Sequence, residues 1–202
     1  MLMTFSNNQK IVLASGNKGK IKEIQTILKH HPVIPQSDFN IEEVEETGST
    51  FVENAIIKAR NAALHCNLPA IADDSGLVVD ALNGAPGVIS ARYAGVGATD
   101  QKNLLKLLKN LEGIPAERRT ARFVCVIVFM RHANDPLPVI AQGTWEGRIL
   151  TEAIGENGFG YDPVFWVPTH QKASAELAPA IKNSLSHRGQ ALQILTDAIQ
   201  RL

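Results

Sequence analysis

Short apolar runs alternate along the chain with longer amphipathic stretches. Lys10-Ile11-Val12-Leu13-Ala14 reads as a first buried strand, after which Ile21, Ile24, Ile27 and Leu28 recur at helical spacing. His31-Pro32 closes that helix, because the residue before a proline is pushed out of helical geometry. Thr50 and Glu53 have the spacing of a capping box, and Val52, Ala55, Ile56, Ala59, Ala62 and Ala63 behind them trace one apolar helix face up to Leu68-Pro69. Ala70-Ile71-Ala72 is a short buried strand that runs into the polar cluster Asp73-Asp74-Ser75-Gly76, and Leu77-Val78-Val79 resumes it. Asp, Ser and Gly favour turns, so the cluster is expected on a loop. Residues 83–87 form another loop. Residues 100–111 carry Leu104, Leu105, Leu108 and Leu111 on a helix, and residues 123–130 read as a strand buried on both faces. A turn at residues 132–136 and a partner strand at 137–142 complete a hairpin. Strand Val164-Phe165-Trp166-Val167 and a last helix over residues 190–202 follow a glycine-rich segment. The alternation predicts an α/β fold, and the central hairpin makes the sheet mixed rather than purely parallel.

Composition narrows the picture. The 202 residues are 45% hydrophobic and 20% charged, ordinary values for a globular domain long enough to bury a core without staples. Lys+Arg and Asp+Glu both number 20, so the balance is neutral and argues against a broad nucleic-acid surface, which needs a basic excess. Any phosphate recognition is therefore local. Cys66 and Cys125 lack metal-ligand spacing and read as reduced core thiols. No apolar run has transmembrane length, and residues 1–8 lack the basic-then-apolar order of a signal peptide. The expectation is a cytoplasmic protein without membrane contact: a short extension over residues 1–9, then one domain over residues 10–202.

Five polar clusters stand where chemistry is expected. Ser15-Gly16-Asn17-Lys18-Gly19-Lys20 joins the first strand to a helix, and unpaired N–H groups at such a turn bind anions. The spacing is not that of a Walker A loop, and a plain strand–helix turn with two solvated lysines is the alternative. Asp73 and Asp74 point to opposite faces of an extended backbone, so one can brace while the other binds Mg²⁺ or takes a proton from water. Glu42, Glu43, Glu45 and Glu46 are either a solvated charge run or the source of a second metal carboxylate. Gly158-Phe159-Gly160-Tyr161-Asp162 offers an aromatic ring to stack on a base, or a core plug followed by a turn. Ser186-His187-Arg188-Gly189 enters the last helix with Ser186 as a cap; His187 and Arg188 either meet an anion or base edge or form a plain surface pair. Lys182, on the preceding turn, can reach the same place. No Ser/His/Asp triad or His-rich zinc set is evident.

Taken together, these segments resemble the inosine/xanthosine triphosphate pyrophosphatase family, in its bacterial branch. The matching residues are Ser15 to Lys20, Glu45-Glu46-Thr47-Gly48, Phe51-Val52-Glu53-Asn54-Ala55 with Lys58, and Ile71-Ala72-Asp73-Asp74-Ser75-Gly76-Leu77. They continue through Gly84-Ala85-Pro86-Gly87, Ser90-Ala91-Arg92-Tyr93, Gly158 to Pro163, and Lys182 with Ser186 to Gly189. The resemblance implies an elongated mixed sheet flanked by helices, with two lobes and a central nucleotide-binding cleft. It also implies a homodimer, Mg²⁺ dependence, and hydrolysis of purine nucleoside triphosphates such as dITP, ITP and XTP to monophosphate and pyrophosphate. Carried over by position, Asp74 is the catalytic residue and a metal ligand, and Glu45 is the second metal carboxylate, with Glu46 the alternative. Ser15, Gly16, Asn17, Lys18, Gly19, Lys20 and Ser75 hold the triphosphate; Phe159, Gly160, Tyr161, Asp162, Lys182, His187 and Arg188 surround base and sugar; Lys58 joins the substrate-binding set. Two rival readings remain: a phosphatase working through an aspartyl-phosphate, which the adjacent rather than alternating aspartates disfavour, and a nucleotide-binding regulator without turnover.

Overall fold

The computed structural model describes residues 9–17, 20–21, 24–25, 28 and 31–202. Lys18, Gly19, Ile27 and residues 1–8 of the expected extension lie outside the described residues. Among the described residues, seven strands form one sheet in the order β2-β1-β3-β4-β5-β6-β7. They are β1 (Ile11–Leu13), β2 (Val33–Pro35), β3 (Ala70–Val79), β4 (Thr120–Met130), β5 (Val139–Ile149), β6 (Phe165–Val167) and β7 (Lys172–Ala173). β1 runs parallel to β2 and to β3, whereas β6 is antiparallel to β5 and to β7, so the sheet is mixed. The helices described are α1 (Phe51–Cys66), α2 (Asp100–Asn110), α3 (Pro179–Leu185) and α4 (His187–Ile199).

The chain divides into two compact units, each assembled from several segments. The first takes the chain up to Asp74, with residues 125–142 and 190–202. Its core joins Ile11 and Leu13 of β1 to Ile127 and Phe129 of β4 and to Leu192 and Leu195 of α4. The second takes residues 75–124 and 143–189. Its core is an aromatic group, Phe123, Trp145 and Phe165, with ring centroids 4.5 to 6.4 Å apart, under Leu104 and Leu107 of α2. α1 starts on the capping box that its sequence announces: Thr50 Oγ1 accepts from Glu53 N–H, and the Glu53 carboxylate accepts from Thr50 N–H at 2.9 Å. It stops at Asn67, whose left-handed backbone (φ 50°) closes the last turn. Its inner face is Asn54, Ala55, Ala59, Ala62 and Ala63, small side chains apart from one buried amide.

Several expectations change. Asp73-Asp74-Ser75-Gly76 is not a loop: β3 runs unbroken through it. Its turn-prone residues are overruled because both carboxylates find cationic partners in place. β5 runs on to Ile149 instead of stopping at Gln142. Its glycines belong to the strand, and at Gly147 a Cβ would come 2.5 Å from Trp166 O of β6, so that close pairing requires glycine. α4 begins at His187 rather than at residue 190, with Ser186 Oγ accepting from Gly189 N–H at 3.1 Å as an N-cap. Lys182 sits on α3 and not on a turn. Cys125 is a core thiol as expected, whereas Cys66 is only half-buried at the end of α1.

The β4–β5 turn is pinned by Asp135, which is buried. Its carboxylate accepts from Arg131 N–H, Nε and Nη2 and from Leu137 N–H, at 2.6 to 3.1 Å. The Arg131 guanidinium, ahead of the two backbone donors, holds this carboxyl well below its ordinary value of 3.8 despite burial. A depressed folded pKa stabilises the protein above pH 3.8 and stops doing so as pH falls through the folded value. Asp135→Asn should therefore cost about 2 kcal/mol in urea unfolding at pH 7, and the deficit should shrink steadily as the same titration is repeated below the unfolded pKa.

Candidate active site

β1 ends at Leu13, opposite Ile71 of β3, and Ala14 N–H makes the last bond across, to Ile71 O at 2.8 Å. β3 continues past this point. Asp73 and Asp74 thus lie just beyond the carboxyl end of a parallel strand, the usual ligand position in open α/β sheets. Ser15, Gly16 and Asn17 leave β1 beside them and are half-buried to exposed. Asn17 shapes the turn: its N–H donates to Ser15 Oγ, and its Oδ1 accepts from Lys20 N–H, both at 3.2 Å. Lys20 is helical, and its Nζ lies 2.6 Å from Asp73 Oδ2.

Alternation along β3 turns the next carboxylate the other way. Asp74 Oδ1 meets Lys58 Nζ at 3.1 Å, and Asp74 Oδ2 accepts from Asn54 Nδ2 at 3.3 Å. Lys58 Nζ also meets Glu46 Oε1 at 2.8 Å, so two carboxylates converge on one ammonium. Burial pushes the Asp74 carboxyl above its ordinary range, the Lys58 charge beside it pulls it back only in part, and the nearby Glu46 charge adds to the rise. For Lys58, burial opposes the charge, but Asp74, Glu46 and Asp73 together outweigh it and hold its pKa above the usual value. Glu45 is exposed and lies outside this hydrogen-bonded set; Glu46, the alternative in register, is within it.

These donors suit a hard divalent cation. They are carboxylate oxygens alone, they already gather around a positive charge, and Mg²⁺ is commonly held by one or two carboxylates with waters and phosphate oxygens. Among the described residues no three His, Cys, Asp or Glu side chains gather as a complete metal cage.

The second unit holds the other candidate group. Asp162 is buried and accepts from Phe159 N–H (2.8 Å), from Ser174 Oγ (2.9 Å) and from Lys182 Nζ. Gly160 N–H donates to Asp100 Oδ2 at 2.8 Å, and Tyr161 OH donates to Ser90 O at 2.8 Å. Burial raises the Tyr161 pKa, keeping the phenol a donor. Gly158 and Gly160 both adopt positive φ, 81° and 62°, so the segment needs glycine at these corners. Held in this way, Phe159 is 57% exposed, which excludes its being a core plug. Lys182 Nζ lies 5.1 Å from the centre of that ring. His187 stacks on Phe123 with centroids 4.9 Å apart, and His187 and Arg188 are both buried, which removes the reading of a plain surface pair. Ser75 follows Asp74 on β3 and is half-buried.

Asn54, Asp100 and Ser174 are contacts that the sequence did not single out. Only Asn54 carried a usable signal, as an amide four residues before Lys58 on an alanine-rich helix face.

The Ham1 family matches the chain over residues 11–198. A dITP/XTP pyrophosphatase of Photobacterium profundum is 63% identical over 193 residues, covering 95% of this chain and 98% of that protein. A dITP/XTP pyrophosphatase of Shigella flexneri is 55% identical over 194 residues, with 95% and 98% covered. The solved structure of a HAM1 protein from Coxiella burnetii is 54% identical and superposes with a TM-score of 0.93, over 96% of this chain and 100% of that one. With matches of this extent in sequence and in fold, the chain belongs to the Ham1 family.

Proposed function

We propose that this chain hydrolyses non-standard purine nucleoside triphosphates (dITP, ITP and XTP) to the monophosphate and pyrophosphate, removing deaminated purines from the nucleotide pool. The observation that carries the proposal is Asp74. It is a buried carboxylate within β3, with both oxygens held, sharing Lys58 with Glu46 and lying next to an aspartate that binds Lys20 behind the β1 loop. Such a cluster suits phosphate chemistry, and the names of the relatives support the substrate class.

In this reading, N–H groups of the Ser15–Lys20 loop, with Lys18 or Lys20 and Ser75, bind the triphosphate. Asp74 accepts a proton from the attacking water as its oxygen bonds to the α-phosphorus. The bond from the α-phosphorus to the bridging oxygen breaks, and pyrophosphate carries the electron pair away. Asp74 with Glu45 or Glu46 would hold Mg²⁺, which when bound supplies charge neutralisation for the phosphate oxygens. In the second unit, Phe159 stacks on the base, and Tyr161, Asp162 and Lys182 keep its segment in shape. Arg188 with nearby N–H groups donates to the carbonyl that hypoxanthine and xanthine carry where adenine has an amino group. Adenine offers no acceptor at that position, a mismatch worth as much as ~10⁴-fold in discrimination.

The test is product analysis with dITP, XTP, dATP and dGTP, in Mg²⁺ and in EDTA. Monophosphate and pyrophosphate are expected from dITP and XTP, not from dATP, and only with the metal; orthophosphate, or equal turnover of dATP, would overturn the proposal. Asp74→Asn should keep the thermal unfolding profile and lower kcat by about 10²–10⁴-fold. Arg188→Ala should reduce the preference for ITP over ATP by about tenfold or more, measured as the ratio of kcat/KM values.

A further inference from the structure

Asn54 does more than fill the inner face of α1. Its side chain is fully buried, an expensive place for an amide unless its ends are satisfied. Oδ1 accepts from Gly48 N–H at 2.8 Å, and Nδ2 donates to Asp74 Oδ2 at 3.3 Å. The first contact depends on residue 48 being glycine, because a Cβ there would lie 2.7 Å from Asn54 Oδ1 and 2.6 Å from Glu53 Cβ. Gly48 follows Glu46 by two positions, so the amide spans from the acidic segment to the Asp74 carboxylate. Lys58 stands one turn further along the same helix face and takes the other oxygen, Asp74 Oδ1. One rigid helix thus fixes both oxygens of a single carboxylate and the end of the segment bearing Glu46. The requirement is for one acceptor and one donor on a short stem. Aspartate has no donor for Asp74, and leucine has neither group.

We propose that Asn54 is a positioning residue, which sets the rotamer of Asp74 and the register of the Glu46–Gly48 segment so that the two carboxylates face the same ligand. This rests on the reading of Asp74 as the residue that handles the attacking water. A carboxylate that turns away from its working geometry loses rate more than substrate affinity, because the phosphate and base contacts lie elsewhere.

The experiment is a double-mutant cycle on the full chain with dITP and Mg²⁺, using Asn54→Leu, Asp74→Asn and the pair, with kcat and KM separated. Asn54→Leu should lower kcat by about 100-fold with KM changed less than about threefold. In the Asp74→Asn background the same change should cost less than about threefold, since its effect passes through Asp74. Equal fold losses in both backgrounds, or a loss confined to KM, would overturn the proposal and leave Asn54 a packing residue. Near-normal turnover by Asp74→Asn alone would instead overturn the underlying reading. If Asn54→Leu yields no folded protein by thermal unfolding, Asn54→Ala, which likewise has neither donor nor acceptor, takes its place in the cycle under the same criteria.

Discussion

Two adjacent carboxylates in the middle of a buried strand organise the first unit. Asp73 and Asp74 are each less than a tenth exposed, and neither is tolerable there as an isolated charge. Strand alternation sends them to different partners, Asp73 to Lys20 and Asp74 to Lys58 and Asn54. Those partners come from separate places in the chain: the helical residues behind the β1 loop, and the inner face of α1. The loop, the helix and the acidic segment are thereby committed to one another through β3. Burial still leaves the Asp74 carboxyl raised, because the cost of desolvating its charge outweighs the support from Lys58 and Asn54.

The second unit solves a different problem with the same means. An aromatic side chain left in solvent is a poor choice for stability, and here it is held out by a rigid frame. Asp162 collects Phe159 N–H, Ser174 Oγ and Lys182 Nζ, while Asp100 takes Gly160 N–H from the start of α2. Two glycines at positive φ make the turn possible. The frame holds Phe159 in the open without the loop having to collapse onto the core. Arg188 and His187 are buried at the entry of α4, with the imidazole against Phe123, so their directions are set by packing.

Most elements were readable from local pattern. The capping box at Thr50 and Glu53, the leucines of α2 and the apolar run of β4 each carry their own signal within a few residues. Misread segments were those where local propensity and tertiary pairing disagree. Asp73 to Gly76 has a turn composition but lies within a strand, because Lys20, Lys58 and Asn54 satisfy its carboxylates. Gly143 reads as the end of a strand, yet it sits inside β5. Further along the same strand, the close approach of β6 demands a glycine at Gly147.

Periodicity and motifs contiguous in the chain were enough for the α/β class, the mixed sheet, the family resemblance and the residue types suited to phosphate and base. Which of those residues meet was settled by packing. The fold brought Glu46, rather than Glu45, onto the lysine shared with Asp74, buried His187 and Arg188, exposed Phe159, and set Asn54 between Gly48 and Asp74. A hydrogen bond across twenty residues depends on how a helix face docks on a strand, and no local pattern carries that.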